Sequence, residues 1–446
     1  KAEAYVVVNN YRQFDFKPYL FRTRDYGQTW ENILEGKPET FGYALSVIQD
    51  IEEPNLLFLG TEYGMYISID EGKNWTKWTN NYPQVSTMDL AIQPREHDLI
   101  MGTFGRAAFV LDDIRPLRAM AKEGKQVLDK TLHLFTPPDA FITQNQQPTG
   151  TRFGADAIYN GENRSYGAMI TYAINKPSTK KEKEVEAPKK RKNKKSASVE
   201  TPKAKKPEVK FDSIFFQVMN SKNEIIRTIK RKAPKENGIH RMYWYMDEKG
   251  ASRPSRRKAR ANSSERGGVK VLPGTYTIKM HFGNKTVSEK IKVAYDPRVD
   301  MPFDVLKSKY DLLKQIEEKS ENVANASQQL VASKEIVEDY QKRIKDLGKK
   351  DKHKQILNDH KEVLKKIDGL LDELFGKVDK RQGITSTEFP SSVSYLFNAS
   401  RYVNSLLEKP GETEFTLIKN AETKISTVIT KISDFYKEDW PKYQDS

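Results

Sequence analysis

Thr23-Arg24-Asp25-Tyr26-Gly27-Gln28-Thr29-Trp30 and Ser68-Ile69-Asp70-Glu71-Gly72-Lys73-Asn74-Trp75 are two copies of one octet, displaced by 45 residues. In each, the Asp carboxylate can accept hydrogen bonds from amides of its own tight turn, Gly supplies a positive φ, and Trp packs between neighbouring sheets. Asp25, Gly27, Trp30, Asp70, Gly72 and Trp75 are therefore read as folding staples, structural rather than catalytic. Before the second octet runs Leu56-Leu57-Phe58-Leu59-Gly60-Thr61-Glu62-Tyr63-Gly64-Met65-Tyr66-Ile67, and Leu99-Ile100-Met101-Gly102-Thr103-Phe104-Gly105-Arg106 repeats its beginning 42 residues on. Short apolar strands between turn signals, at a period in the low forties, are the pattern of a four-stranded propeller blade. After the third repeat the sequence changes to Phe109-Val110-Leu111-Asp112-Asp113-Ile114-Arg115-Pro116 with no third octet, so residues 1–116 are expected to be the closing blades.

The remaining chain reads as two further units. A length of 446 residues calls for several cores. Residues 117–131 are expected to be a linker and 132–300 a β-sandwich. Tyr166 to Tyr172 and Ser213 to Val218 are strand-like, and Thr275 to Phe282 turns at Gly283-Asn284 and returns through Val287 to Val293 as a β-hairpin. A lysine-rich insertion, 178–210, separates the first two strands and is expected to be a disordered loop between strands of one sandwich. A second basic stretch, Arg253 to Lys270, reads as another exposed loop.

From Pro302 the period becomes helical. Val323, Leu330, Val337 and Ile344 are spaced by seven, as are Ala326, Ser333, Tyr340 and Leu347, and Ile356, Val363 and Leu370 with His360, Ile367 and Leu374 continue the rule past a break at Gly348 to Asp351. Residues 301–446 are thus expected to be a helical bundle with a long antiparallel coiled-coil hairpin, to which Val393 to Leu407 and Leu417 to Phe435 add two more helices. The start of the first helix (Leu306, Tyr310, Leu313) is expected to pack on those two, leaving a two-helix tip that projects from the body.

Composition narrows the chemistry. There is no cysteine, so thiolate nucleophiles, thiolate metal sites and disulfides are excluded together. No run approaches a membrane-spanning length, so the chain is read as not transmembrane. The net charge is +15, and between Ser178 and Lys210 twelve Lys and one Arg stand against five Glu, a net of +8. This concentration permits contact with an anionic surface through the lysine-rich loop, whereas nucleic acid is not expected, since no recognition helix or aromatic platform accompanies the charge. No phosphate loop, His-Glu-x-x-His or Gly-x-Ser-x-Gly is present, and His353 and His360, the two histidines near one another, read as core or surface residues; no cofactor or metal is expected. Candidate binding residues lie where the repeats diverge from their template. Thr61, Glu62 and Tyr63, with Phe104 and Arg106, follow equivalent Gly-Thr pairs and are placed to line a central opening, Arg106 as a bidentate carboxylate binder.

The octets resemble the Asp-box, or bacterial neuraminidase repeat, of sialidases and of the ten-bladed propeller of sortilin. The string Leu57 to Gly64 through Trp75, then Asp89-Leu90-Ala91-Ile92-Gln93-Pro94-Arg95 and Gly102-Thr103-Phe104-Gly105-Arg106, is similar to the end of large sortilin-like "glycosyl hydrolase" proteins of Bacteroidota. So are Gly161-Glu162-Asn163 with Tyr166-Gly167-Ala168, Gly238-Ile239-His240-Arg241 with Trp244, Leu272-Pro273-Gly274-Thr275-Tyr276 and Asp296-Pro297-Arg298, although Arg164-Ser165 stand where that family commonly has a proline pair. The resemblance covers about residues 1–300. It implies an Asp-box β-propeller followed by an Ig-like β-sandwich, earlier blades and an export signal upstream, and a periplasmic or cell-surface, outer-membrane-associated location. It establishes no catalytic set, because a sialidase needs an arginine triad, a tyrosine with its glutamate and an acid aspartate, which these residues do not supply. The expected function is non-catalytic binding of protein partners in a surface complex, as the sortilin propeller binds peptides in its tunnel; the alternative is a sialidase-like glycoside hydrolase or lyase acting on glycans.

Overall fold

The computed structural model describes residues 2–143, 164–177, 210–260, 264–348, 353–377 and 391–445. The chain is mainly β and then α, several antiparallel sheets preceding a group of C-terminal helices. Three sheets follow one another first: β1 (Ala4–Asn10), β2 (Asp15–Thr23) and β3 (Glu31–Asn32); β4 (Ala44–Gln49), β5 (Leu57–Thr61), β6 (Gly64–Ser68) and β7 (Thr76–Trp78); β8 (Thr87–Gln93), β9 (Asp98–Thr103) and β10 (Ala108–Leu111). β4 lies against β1 on one side and β8 on the other. The pairing of Leu57 with Ser68 matches that of Ala4 with Thr23, so β1–β2 and β5–β6 are the same hairpin in two copies.

The octets connect β2 to β3 and β6 to β7 with one hydrogen-bond pattern. Asp25 Oδ1 accepts from the Thr29 amide at 2.9 Å, and Asp70 Oδ1 from the Asn74 amide at 2.8 Å. Thr23 Oγ1 donates to Asp25 and accepts from Gly27 N–H (2.8 and 2.9 Å), as Ser68 Oγ does with Asp70 and Gly72 (2.8 and 2.8 Å). The octet's first hydroxyl is therefore part of the turn, a role the sequence reading passed over. Gly72 has φ +83° and a Cβ there would sit 2.7 Å from Ile33 Cδ1, so both backbone conformation and the neighbouring sheet require glycine. The tryptophans differ: Trp75 packs against a core of Leu20, Leu34, Leu59 and Tyr66 between the first two sheets, whereas Trp30 is 45% exposed. Trp30 Nε1 donates instead to the Gly27 carbonyl of its own turn at 3.1 Å.

Most of residues 117–131, expected to be a linker, are helical. α1 (Arg115–Glu123) buries Leu117, Met120 and Ala121 in one core with Phe58, Leu99 and Met101, and Phe135 and Ala173 carry that core into the next region. The apolar spacing of Leu117, Met120 and Ala121 is that of an amphipathic helix.

The second region has two sheets around one core: β11 (Leu132–Leu134), β13 (Ala168–Ile174) and β16 (Gly238–Trp244) in one; β12 (Ala140–Ile142), β14 (Ser213–Met219), β15 (Ile225–Lys232), β19 (Gly274–Phe282) and β20 (Lys285–Tyr295) in the other. Trp244, fully buried, anchors it. β13 and β14 belong to the two different sheets of this pair; the lysine-rich insertion between them, apart from Lys210, lies outside the described residues, as do Gly161-Glu162-Asn163.

The Arg253–Lys270 stretch is largely exposed, as expected, but it is tied down at several points. β17 (Asp247–Lys249) pairs with β18 (Gly267–Lys270), and the chain before the turn lies along two helices, α2 (Phe303–Asp346) and α3 (Lys354–Phe375). Ser252 donates to Glu321, Ala259 N–H donates to Gln328 Oε1 (2.7 Å), Arg256 bonds Asp372 and the Gly376 carbonyl (2.7 and 2.6 Å), and Lys258 pairs with Glu335 (2.6 Å). Two of its basic side chains, Arg256 and Lys258, thus meet helix carboxylates, which sequence composition alone did not reveal.

α2 is one continuous helix of 44 residues, and Val323, Leu330 and Val337 are completely buried with Val363, Ile367 and Leu374 of α3. α4 (Ser392–Ser405) and α5 (Glu412–Asp434) complete the core. Two expectations need correction. The start of α2 meets the β region as well as α4: Leu306, Tyr310 and Leu313 line a cavity with Tyr166, Val271 and Tyr295, and Tyr310 Oη donates to Glu248 at 2.6 Å. The free hairpin tip is also shorter, because the chain after α5, ending in α6 (Trp440–Gln444), runs beside both long helices: Tyr436 bonds Ser333 at 2.9 Å and Tyr443 stacks edge-on to the buried His360 at 5.6 Å. Beyond that cover the second seam row is exposed, Tyr340 at 54% and Leu347 at 66%, since two helices alone bury only one face of each.

Candidate functional site

The loops that carry the candidate residues are equivalent turns. Glu62 N–H donates to the Tyr43 carbonyl (3.1 Å) and Phe104 N–H to the Ser86 carbonyl (2.9 Å), so each β-hairpin turn, β5–β6 and β9–β10, is bonded to the residue that leads into its own sheet's first strand. The β1–β2 hairpin is longer and overhangs the same end, turning at Tyr11-Arg12-Gln13. Between these turns opens a cleft of about 740 Å³, lined by Asn9 to Gln13, Tyr43, Leu45, Ser86, Met88 and Phe104.

Of the sequence candidates, Phe104 alone lines this cleft, and it is 76% exposed. Thr61 is fully buried: its hydroxyl donates to the Gly64 carbonyl (3.2 Å) and accepts from Tyr63 N–H (3.3 Å), a turn-closing role. Glu62 and Tyr63 stand beside the neighbouring turn, where Gly42 must lack a side chain because a Cβ would fall 2.9 Å from Glu62 Cβ. The charge of Glu62 raises the Tyr63 phenol, which opposes its use as a phenolate nucleophile. Arg106 is exposed on the β9–β10 turn, outside the cleft wall, and pairs with no carboxylate among the described residues.

The cleft's own chemistry comes from residues the sequence reading missed. Tyr11 and Tyr43 stack at 5.1 Å with planes 24° apart, joining the first sheet to the second, and the Arg12 guanidinium lies 5.8 Å from the Tyr11 ring. Tyr43 is raised by burial first and by Glu62 next, so at neutral pH it is a neutral donor. Asn9, Asn10 and Gln13 add carboxamides, and Met88 an exposed thioether. The lining has no carboxylate and no histidine.

The cavity of about 210 Å³ at the foot of α2 is polar but internally satisfied. Lys309 Nζ donates to the carbonyls of Asn404 and Leu406 at the end of α4 (2.7 and 2.8 Å), and Lys270 Nζ to that of Tyr245 (2.7 Å). Lys309 thus ties α2 to the end of α4 and Lys270 closes within the β region, while the Tyr310–Glu248 bond joins the two. Among the described residues no group of His, Asp and Glu is arranged to hold a metal ion, and no helix is long and apolar enough to cross a membrane.

In comparisons with known proteins, no family model matches the chain and no curated protein matches it.

Proposed function

We propose that the first 116 residues are closing blades of an Asp-box β-propeller akin to that of sortilin, followed by an Ig-like sandwich, in a non-catalytic, exported or outer-membrane-associated protein. It takes extended segments of protein partners in the cleft at the mouth of the blades. The cleft carries this reading. Its Tyr11–Tyr43 pair and Phe104 offer faces for apolar side chains, Asn9, Asn10 and Gln13 offer the paired donors and acceptors that a peptide backbone needs, and Arg12 offers a carboxylate partner. A glycoside hydrolase commonly needs two carboxylates flanking the scissile bond, and this lining has none, which favours binding over hydrolysis there. Two octets that share the hydrogen bonds of their Asp carboxylate and leading hydroxyl, in successive sheets whose strands β1, β4 and β8 are neighbours, support the blade reading.

Panning random displayed peptides on the full chain tests it. The expected result is a family of selected peptides with micromolar affinity that Tyr43→Ala and Arg12→Glu each weaken at least tenfold. Selected peptides whose binding is indifferent to both changes, or no selection at all, would refute the cleft as a binding site.

A further inference from the structure

The five-stranded sheet turns Ile214, Phe216, Ile278, Met280 and Ile291 inward to the core. Its outward positions are different in kind. Strand register sets Lys232 opposite Ser213, Lys230 opposite Phe215, Lys279 opposite Gln217, Lys290 opposite Thr277 and Lys292 opposite Thr275. These five lysines alternate with Ser, Thr, Gln and His, and no Asp or Glu stands at an outward position of β14, β15, β19 or β20 between those rows.

Their arrangement is linear. With strands roughly 4.8 Å apart and same-face residues roughly 6.7 Å apart along a strand, the lysines run from Lys232 at one corner on β15, through Lys279 on β19, to Lys292 on β20, a diagonal of roughly 30 Å. Successive charges are roughly 7–12 Å apart by the same spacings. Lys292 pairs with Asp139 at 3.5 Å, and Lys230 Nζ sits 5.3 Å from the centre of the Phe215 ring. Lys230, Lys232, Lys279 and Lys290 have no ion-pair partner among the described residues. Where the track begins, a depression of about 300 Å³ opens beside Phe215, with Lys210, Lys230 and His281 on its wall and Asp212 the one carboxylate there.

We propose that this diagonal binds a linear polyanionic glycan, an extended sugar chain carrying carboxylates or sulfates. A line of ammonium groups on a rigid sheet, with Lys292 alone of the five paired to a carboxylate, raises the local concentration of such a chain and holds it in one direction. The hydroxyl and carboxamide side chains between the lysines match sugar hydroxyls, and the depression of about 300 Å³ beside Phe215 puts an aromatic side chain at the start of the track. A single-stranded nucleic acid would need successive aromatic platforms, and the track crosses one ring, Phe215. A membrane would meet a plane of charge, whereas these charges lie on a line. The surface is separate from the cleft of the first three sheets, so the two proposals stand or fall independently.

The test immobilises polygalacturonate, chondroitin sulfate and neutral dextran and measures binding of the full chain at 0.15 M salt. Wild type and a variant lacking residues 180–206 should bind both polyanions and not dextran, and Lys230→Glu/Lys279→Glu/Lys290→Glu should bind at least tenfold more weakly with an unchanged thermal midpoint. Should charge reversal lower that midpoint, the Lys230→Gln/Lys279→Gln/Lys290→Gln variant replaces it, with weakening again expected. The proposal is overturned if wild type binds neither polyanion or if the substituted face binds as tightly as wild type. Tighter binding to single-stranded DNA or to phosphatidylglycerol vesicles than to either glycan would overturn it as well.

Discussion

Arg118 of α1 and Asp50, just after β4, meet in a two-point ion pair, Nε to Oδ1 at 2.9 Å and Nη2 to Oδ2 at 2.8 Å, with residue exposures of 7% and 4%. Asp50 Oδ1 also accepts from the amides of Glu52 and Glu53 (3.0 and 2.7 Å), so one carboxylate closes a turn and fastens the helix to the second sheet. Removing Arg118 leaves the Asp50 carboxylate buried without a counter-charge, at a cost of about 3–5 kcal/mol, whereas removing Asp50 leaves Arg118 paired with Glu52 at 2.9 Å and costs less. Urea denaturation followed by tryptophan fluorescence should show the larger loss for Arg118→Met and the smaller one for Asp50→Asn. Replacing both together with apolar residues should cost less than the two single changes combined.

The octet turns make the first sheets sensitive to acid. The hydroxyl of Thr29, with its amide and Thr23, holds the Asp25 carboxyl down to about 2 against an ordinary 3.8. At Asp70 burial pushes upward, but the amide and carboxamide of Asn74 and the Ser68 hydroxyl prevail and the carboxyl stays lowered. A carboxyl depressed in the folded state stabilises it above its unfolded value and loses that contribution as pH falls through the folded one. Thermal midpoints of wild type should therefore fall between about pH 4 and pH 2. Asp25→Asn/Asp70→Asn should start lower at neutral pH and show a flatter decline across that window.

Lys309 gives the opposite end of the chain an alkaline signature. Burial lowers its ammonium from 10.5 to about 8. The unfolded chain then holds a proton that the folded chain has released between those values, so stability rises with pH from about 8 to about 10.5, by on the order of 3 kcal/mol. Lys309→Met should abolish this rise. Denaturant midpoints of the two proteins between pH 7.5 and 10 give the comparison, and the other lysines and tyrosines cancel in the difference.

Leu330 and Val337 are both fully buried on the α2 seam. Leu330→Asp/Val337→Asp should cost several kcal/mol by burying charges without partners. Helical circular dichroism should melt early while the sheets stay folded. Because Ala259 and Ser252 are bonded to α2, the amides of residues 251–260 should lose hydrogen-exchange protection in the same variant.

What was legible in the sequence was periodic. The octets and heptads repeat, and their consequences, a shared turn in two sheets and a 44-residue helix, follow from the repeat. The helix α1 escaped notice because Leu117, Met120 and Ala121 fill too short an apolar stripe to stand out beside Pro116. The cleft residues Asn9 to Gln13 were missed for another reason: they lie on the one hairpin turn without a Gly-Thr pair to mark its equivalence to the turns at Thr61 and Thr103. Counting back from the octets would have found it, since Val8 and Tyr19 pair as Thr61 and Gly64 do. Nothing local could place Arg256 on Asp372, a contact between residues 116 apart in sequence.

Partner binding at the mouth of the first three sheets is most directly tested by a hydrogen-exchange footprint of the full chain with a selected peptide bound. The account predicts slowed exchange of the amides of Asn10 to Phe14, Tyr43 to Leu45, Ser86 to Met88 and Phe104, with the second region and the helices unchanged. Protection confined to the five-stranded sheet or to the helical bundle, with those four segments unaffected, would contradict it.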